Sequence, residues 1–205
     1  MLKDITSLRR VLTLLHEQYR VPNVVISSIP LRQWLIDELP ETIRPPEHTL
    51  EDSDYLLCLC SSTINAEESN GLSTVHAQFV PLLPGYFSGV GDLFSALLLG
   101  HFRSAELPIP EGKDIPQTLL SYATSMALTK THAVLRSTYQ YTLTLPEDER
   151  QSTDVEKDAA EPLRKHKRMR GRELRLVQPE GQNIIRGVEN IDIRKMGPWL
   201  EFWTT

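Results

Sequence analysis

An α/β fold is what this sequence predicts, and three observations predict it. Apolar residues at helical spacing are followed at once by a β-branched run, Val24-Val25-Ile26. A second apolar strand and an alternating third come at 55–60 and 75–79. A glycine-bearing turn at 85–91 then opens into an apolar stretch long enough for a helix. With 205 residues, 40% hydrophobic and 24% charged, the composition is that of one ordinary globular domain, and a single domain over 1–205 is the expectation.

Each element has its own warrant. Ile5, Leu8, Leu12 and Leu15 share a helical face, with Asp4 or Thr6 as the cap and Val21-Pro22-Asn23 as the breaker. Val24-Val25-Ile26 reads as a buried strand that ends in Ser27-Ser28, so the two serines are expected where ligands of open α/β sheets bind. A short helix is expected over Leu31–Leu39, then a loop through Pro40, Pro45 and Pro46. Tyr55–Cys60 reads as a buried strand. Its Cys58 and Cys60 point the same way and are expected to be reduced packing thiols, because a zinc site would need a second ligand pair. Val75, Ala77 and Phe79 alternate with His76 and Gln78, a half-buried strand suited to hairpin pairing with Tyr55–Cys60.

Leu93–Phe102 is apolar enough for a buried helix covered by other elements. Asp114-Ile115-Pro116-Gln117 has the form of a capping box and opens a long helix through Leu119, Met126, Val134 and Leu135 to about Gln140. Residues 146–162 carry almost no large apolar side chains, and 164–170 reverse the charge sign. The whole of 146–172 is therefore expected to be a charged insertion that does not order itself. Its basic run reads as a solvated face, the alternatives being a nuclear-localisation or phosphate-binding role. Glu173–Gln178 reads as a final edge strand, and Trp199, Phe202 and Trp203 are expected to pack on the body.

A net charge of -5 and a pI near 5.7 argue against a chain whose main task is coating nucleic acid or an anionic membrane. The start, Met1-Leu2-Lys3-Asp4, lacks the apolar core of a secretory signal, and no window has the length of a membrane span. A cytoplasmic location is expected, with the nucleus as the alternative. The six histidines show no metal-like pairing and read as surface or packing residues.

The segment that carries chemistry is Pro84-Gly85-Tyr86-Phe87-Ser88-Gly89-Val90-Gly91-Asp92-Leu93-Phe94. Glycines at 89 and 91 let the backbone approach an anion, and the helix that follows aims unpaired amides and its positive dipole end at the same spot. Phosphate is the natural occupant. Asp92 in the first turn has two compatible readings: a carboxylate that complements the dipole, or a base that takes a proton from an alcohol. A P-loop is disfavoured, because no Gly-x-x-x-x-Gly-Lys-Ser/Thr sequence is present.

Gly89-Val90-Gly91-Asp92-Leu93-Phe94 resembles the anion-hole motif Gly-Thr-Gly-Asp-Leu-Phe of the pyridoxal kinase branch of the ribokinase-like superfamily, in a fungal-like form. Val24-Val25-Ile26-Ser27-Ser28 is similar to that family's Val-Val-Ile-Thr-Ser strand end, and Tyr55-Leu56-Leu57 to its next strand. Thr131–Leu135 is similar to the helix segment that closes over adenine, and Glu173–Gln178 to the last strand, so the likeness covers most of 5–178 outside the insertion.

The resemblance implies a ribokinase-like, Rossmann-like sheet flanked by helices and incomplete at its N-terminal side, where the family's N-terminal half has no counterpart. It implies an ATP-dependent kinase for the 5′-hydroxyl of pyridoxal, pyridoxine or pyridoxamine, with Mg2+ and a monovalent cation as ions and no metal ligand assigned. By the same resemblance Asp92 is the base, Gly89, Val90 and Gly91 form the anion hole, Ser27 and Ser28 contact phosphate, and Leu83, Phe87 and Leu135 border adenine. Val90 departs from the family's Thr, which leaves the backbone amide and removes a hydroxyl. An uncovered sheet edge would favour association, and a homodimer is expected. Two other readings fit the same residues: a nucleotide-binding chain without the vitamin pocket and without turnover, and a kinase for another small alcohol of the same superfamily.

Overall fold

The computed structural model describes residues 3–46, 54–64, 71–104, 118–151, 154–187 and 191–204. The chain divides into two compact units where composition suggests one domain. The first takes the stretches 1–82, 101–125 and 194–205, and the second takes 83–100 and 126–193.

The first unit begins with α1 (Ile5–Thr13), and of the two expected caps Asp4 is the one used. Its carboxylate accepts the Ser7 N–H at 2.7 Å while the Ser7 hydroxyl accepts the Asp4 N–H at 3.3 Å, a reciprocal capping box. Leu8 and Leu12 are fully buried, and Ile5 and Leu15 pack against them as their spacing requires. The helix runs on as a π turn over Leu14–Gln18 before Arg20, at φ 53°, ends it. A short helix, α2 (Gln33–Glu38), follows the first strand.

The sheet holds β1 (Asn23–Pro30), β2 (Tyr55–Ser62), β3 (Thr74–Pro81) and β4 (Gly197–Pro198) in the order β1-β2-β3-β4, each pair antiparallel. β2 and β3 form an unbroken ladder from Tyr55 opposite Pro81 to Ser62 opposite Thr74, the hairpin-like pairing that their patterns predict. β2 is buried from Leu57 to Ser62 on both faces, which is why its sequence is a continuous apolar run rather than an alternating one. Cys58 and Cys60 are free and buried within it. Burial pushes both thiols up, Cys60 to about 12, so they are packing groups and poor nucleophiles.

The chain's last segment closes this unit's core. Trp199 and Phe202 are buried, and the Trp199 N–H donates to the Val75 carbonyl at 2.8 Å. The Phe202 ring meets Trp199 and Trp203 edge-on at 5.0 and 4.9 Å. Arg9 donates to the Phe202 carbonyl at 2.5 Å, tying the tail to α1. His16 has a packing role as well: its ring nitrogens lie 2.6 Å from the Val21 carbonyl and 2.7 Å from the Ser61 hydroxyl.

In the second unit, α3 (Val90–Ser104, of which 90–100 belong here) forms where the apolar run predicts a helix, but it is not covered as expected. Phe94 is buried, whereas Leu97 and Leu98 are half-buried and Leu99 is 51% exposed. The long helix α4 (Leu119–Thr144) extends past Gln140, and its part from Met126 onward belongs to this unit. The expected capping box at Asp114–Gln117 lies outside the described residues. Thr118 caps the described helix, its hydroxyl accepting the Ser121 N–H at 3.0 Å.

Residues 146–172 differ most from their composition reading. The structure places α5 (Val155–Ala160) and α6 (Pro162–Arg170) there. What orders them is charge rather than apolar burial. The Asp158 carboxylate pairs with Arg164 and takes two hydrogen bonds from Arg168, at 2.7 and 2.5 Å, with Arg164 only 8% and Arg168 only 4% exposed. Outer pairs from Lys167 to Asp148 and from Arg170 to Glu149 add to this. Glu173–Gln178 is not an edge strand. It makes a single parallel bridge, Ser88 to Glu173, because its donors are spent elsewhere: Arg175 N–H on the Thr138 hydroxyl and Leu176 N–H on the Leu174 carbonyl. Another short helix, α7 (Pro179–Arg186), follows.

Two predictions test this packing. Phe202→Ala should cost about 3–5 kcal/mol in urea unfolding by opening a buried cavity, while Leu200→Ala, at an 85% exposed position, should change stability by less than ~0.5 kcal/mol. The hydrogen bonds from Arg168 and then Arg164 hold the Asp158 pKa down at about 2 against the opposing effect of burial. A depressed carboxylate contributes stability above its unfolded value and loses it as pH falls through its folded value. Helicity of α5 and α6, followed by circular dichroism, should therefore decline between about pH 4 and pH 2, and Asp158→Asn should remove that transition.

Candidate functional site

The site is a turn and the helix end it feeds. Ser88 is fixed first: its N–H donates to the Arg172 carbonyl at 3.0 Å, and it bridges to Glu173. Gly89 follows at φ 82°, a left-handed conformation that a side chain resists, and its carbonyl accepts the first helical bond from Leu93 N–H at 3.0 Å. Gly89 is thus the cap, and the amides of Val90, Gly91 and Asp92 fall in the first turn, where no preceding carbonyl can serve them. The surface over these amides is open. A Cβ at Gly91 would meet nothing within 4 Å, and one at Gly89 only Leu174 at 3.9 Å. Gly89, Gly91 and Asp92 are exposed, Val90 is half-buried, and Asp92 is the acid of the helix's first turn. The arrangement offers unpaired donors and a positive dipole end beside one carboxylate, which suits an anion and a group that loses a proton near it.

Two cavities of the second unit flank the turn. A cleft of about 520 Å3 is lined by Phe87 and Tyr86 with Tyr139 and Leu143 of α4 and, on its polar side, Arg150 and Arg172. A groove of about 380 Å3 runs beside Leu93, Ala96 and Leu97 against Leu176 and Ile185. Asp92 lines neither of these two. Of the residues expected near adenine, Phe87 lines the cleft. Leu83 and Leu135 are half-buried in the same unit and are not among its lining residues. Ser27 and Ser28 belong to the first unit. They sit within β1 at a register shift between Ile26 and Ile29, not at the strand's end, with their hydroxyls 3.3 Å apart.

Several residues that shape the site escape a sequence reading. Thr138 and Thr142, one turn apart on α4, hold the segment beside the turn: Thr138 accepts Arg175 N–H at 3.2 Å and Thr142 donates to the Gly171 carbonyl at 2.5 Å. The Arg175 guanidinium lies 4.0 Å from the centre of the Tyr141 ring. Lys130 is buried and donates to the Ile185 carbonyl in the last turn of α7 at 2.6 Å, and burial lowers its pKa. A lysine amid buried residues of a long helix is the one sequence signal among these.

Comparison with known proteins bears on this geometry. No family model matches the chain. Among solved structures, pyridoxal kinase from Leishmania donovani in complex with ADP and pyridoxine aligns with 96% of this chain and 45% of its own, at a TM-score of 0.50 and 18% identity. The fold is thus the ribokinase-like α/β fold of that kinase. Among curated proteins, an inferred pyridoxal kinase of Schizosaccharomyces pombe (strain 972) is 27% identical over 124 residues, 60% of this chain. The chain is similar in sequence to that relative and in fold to the solved neighbour, and it spans about a third of the relative's length (32%) and under half of the neighbour's (45%). Among the described residues, no helix is long and apolar enough to cross a membrane, and no group of three or more His, Cys, Asp or Glu is placed to hold a metal ion.

The backbone requirement can be tested directly. Gly89→Ala should destabilise by about 1–2 kcal/mol in urea unfolding through its left-handed backbone alone, since the added methyl has room. Gly91→Ala should fall within ~0.5 kcal/mol of wild type or stabilise, because that position is helical and open.

Proposed function

We propose that this chain is the nucleotide-binding, phosphoryl-transfer portion of a pyridoxal kinase, which uses ATP to phosphorylate the 5′-hydroxyl of pyridoxal, pyridoxine or pyridoxamine. The observation that carries the reading is the open helix end capped by left-handed Gly89, with Asp92 in its first turn. The names of the relative and of the solved neighbour, the latter bound to ADP and pyridoxine, support the choice of nucleotide and acceptor.

In this reading the amides of Val90, Gly91 and Asp92 and the dipole of α3 lie against the transferring phosphoryl group and stabilise the charge that spreads over its oxygens. Asp92 accepts the proton of the vitamin hydroxyl as the new O–P bond forms and the bond from the γ-phosphorus to the bridging oxygen breaks, leaving ADP. Phe87, Leu83 and Leu135 border the base, as the resemblance implies. Mg2+ would neutralise phosphate charge. Val90 keeps its amide for the phosphate, while any contact a threonine hydroxyl would make to phosphate or to a monovalent cation is gone.

Phosphorylation of the three vitamers by the full chain, wild type and Asp92→Asn, tests the proposal. The variant should lose about 10²–10⁴-fold in kcat with little change in KM for ATP, as expected for removal of a general base. Equal activity would remove Asp92 from the role. Calorimetric binding of ADP without product from any vitamer would instead identify a nucleotide-binding chain without turnover.

A further inference from the structure

Residues 146–172 read as an insertion outside the kinase likeness, yet in the structure they are bonded to the phosphate-binding turn. Starting at the turn, the Ser88 N–H donates to the Arg172 carbonyl at 3.0 Å. Arg172 is itself held from both directions. The preceding carbonyl, of Gly171, accepts the Thr142 hydroxyl at 2.5 Å, and the Arg172 guanidinium donates to the Gln151 carbonyl at 3.2 Å. Gly171 keeps this approach close: a Cβ there would lie 2.9 Å from the end of the Leu145 side chain and 3.2 Å from the Thr142 methyl. The Gln151 side chain accepts Arg164 Nε at 2.5 Å, and Arg164 with Arg168 converges on Asp158. The bonds therefore run without a break from Asp158 through Arg164, Gln151 and Arg172 to Ser88, the residue before left-handed Gly89.

We infer that residues 149–151 and 154–172 act as a strap that positions the phosphate-binding turn, with Asp158 and Arg172 as positioning residues that act on Gly89 through the Ser88–Arg172 bond. The electrostatics explain why one carboxylate governs so much. Arg164 and Arg168 are buried side by side, and Arg172 feels Arg168 as a like charge, one of the influences that lower its pKa after burial itself. Asp158 is the anion that both buried guanidinium groups share. Without it the buried pair loses the carboxylate they share, a loss that buried charges tolerate poorly. The segment carrying Arg172 would then move off, and Ser88 would lose its anchor. Purely local packing of the insertion would leave the turn unaffected by the same change.

The effect on nucleotide binding rests on the kinase reading above; the effect on the turn does not. Hydrogen–deuterium exchange of the full chain, read by mass spectrometry, separates the amides of 85–95 from those of 155–170. In Asp158→Asn both groups should exchange faster, the turn by about tenfold. In Arg172→Met the turn should loosen while α5 and α6 keep their wild-type exchange. Faster exchange of α5 and α6 in Asp158→Asn beside an unchanged turn would overturn the inference, as would an unchanged turn in Arg172→Met. Should Asp158→Asn fail to fold, Arg172→Met decides alone. ADP titration of the same proteins should show about tenfold weaker binding in both variants. A turn that loosens in a chain that binds no ADP even as wild type would keep the strap and remove the kinase reading. Equal ADP binding by all three proteins with an unchanged turn would do the reverse.

Discussion

The left-handed backbone at Gly89 is the constraint on which the site depends. Because its φ is 82°, the chain can leave the bridge at Ser88 and enter α3 within a single residue, so the first-turn amides of the helix face open space. A residue with a side chain there would strain the turn or force the helix to begin elsewhere, and the converging amides would be lost. The role of Asp92 follows from the same event. It lies in the first turn only because the helix starts at Val90, where the dipole that favours an anionic ligand also favours an acidic residue. The two readings of this residue, as dipole partner and as base, thus share one geometry.

The two units are held by different physics. In the first, β2 is covered on both faces, and Trp199 and Phe202 return from the far end of the chain to seal its core. Stability there comes from apolar area and ring contacts. In the second, the region around Asp158 is ordered by hydrogen-bonded charges. Such pairs fix geometry well while contributing less net free energy than their number suggests, since desolvation offsets their attraction. A segment held in this way suits a positioning role: it is specific about where Arg172 sits, and it adds little to the core.

The same division explains what was legible in the sequence. Features written in period and composition were readable: the Asp4 cap and the Leu8–Leu12 face, the alternation at 75–79 that pairs with Tyr55–Cys60, and the glycine pair before Asp92. Features that depend on which side chain meets which backbone group were not. Composition counts 146–172 as too polar to order because it counts apolar residues, and the meeting of Arg164 and Arg168 at Asp158 has no period to betray it. The strand expected at Glu173–Gln178 fails because the Thr138 hydroxyl, 37 residues away, takes the Arg175 amide. The apolar run of α3 signals a helix correctly, but a run of leucines does not say what will cover it, and Leu99 remains exposed.

The proposed anion site, built from backbone amides, would have a particular tolerance. Its donors belong to the conformation, so Val90 can stand where the resembled family has threonine and still present its N–H in the same direction. The exacting position is the neighbouring Gly89, where the demand is on φ. Selectivity among anions must then come from what surrounds the turn: the aromatic and cationic lining of the cleft at Phe87, and whatever fixes the turn's orientation toward it. If the inferred strap holds, the bond from Ser88 to Arg172 bears on the second, and Arg172 lines the cleft, so in the proposed function recognition is shared between a helix end that resembles the motif of pyridoxal kinases and a charged segment outside that likeness.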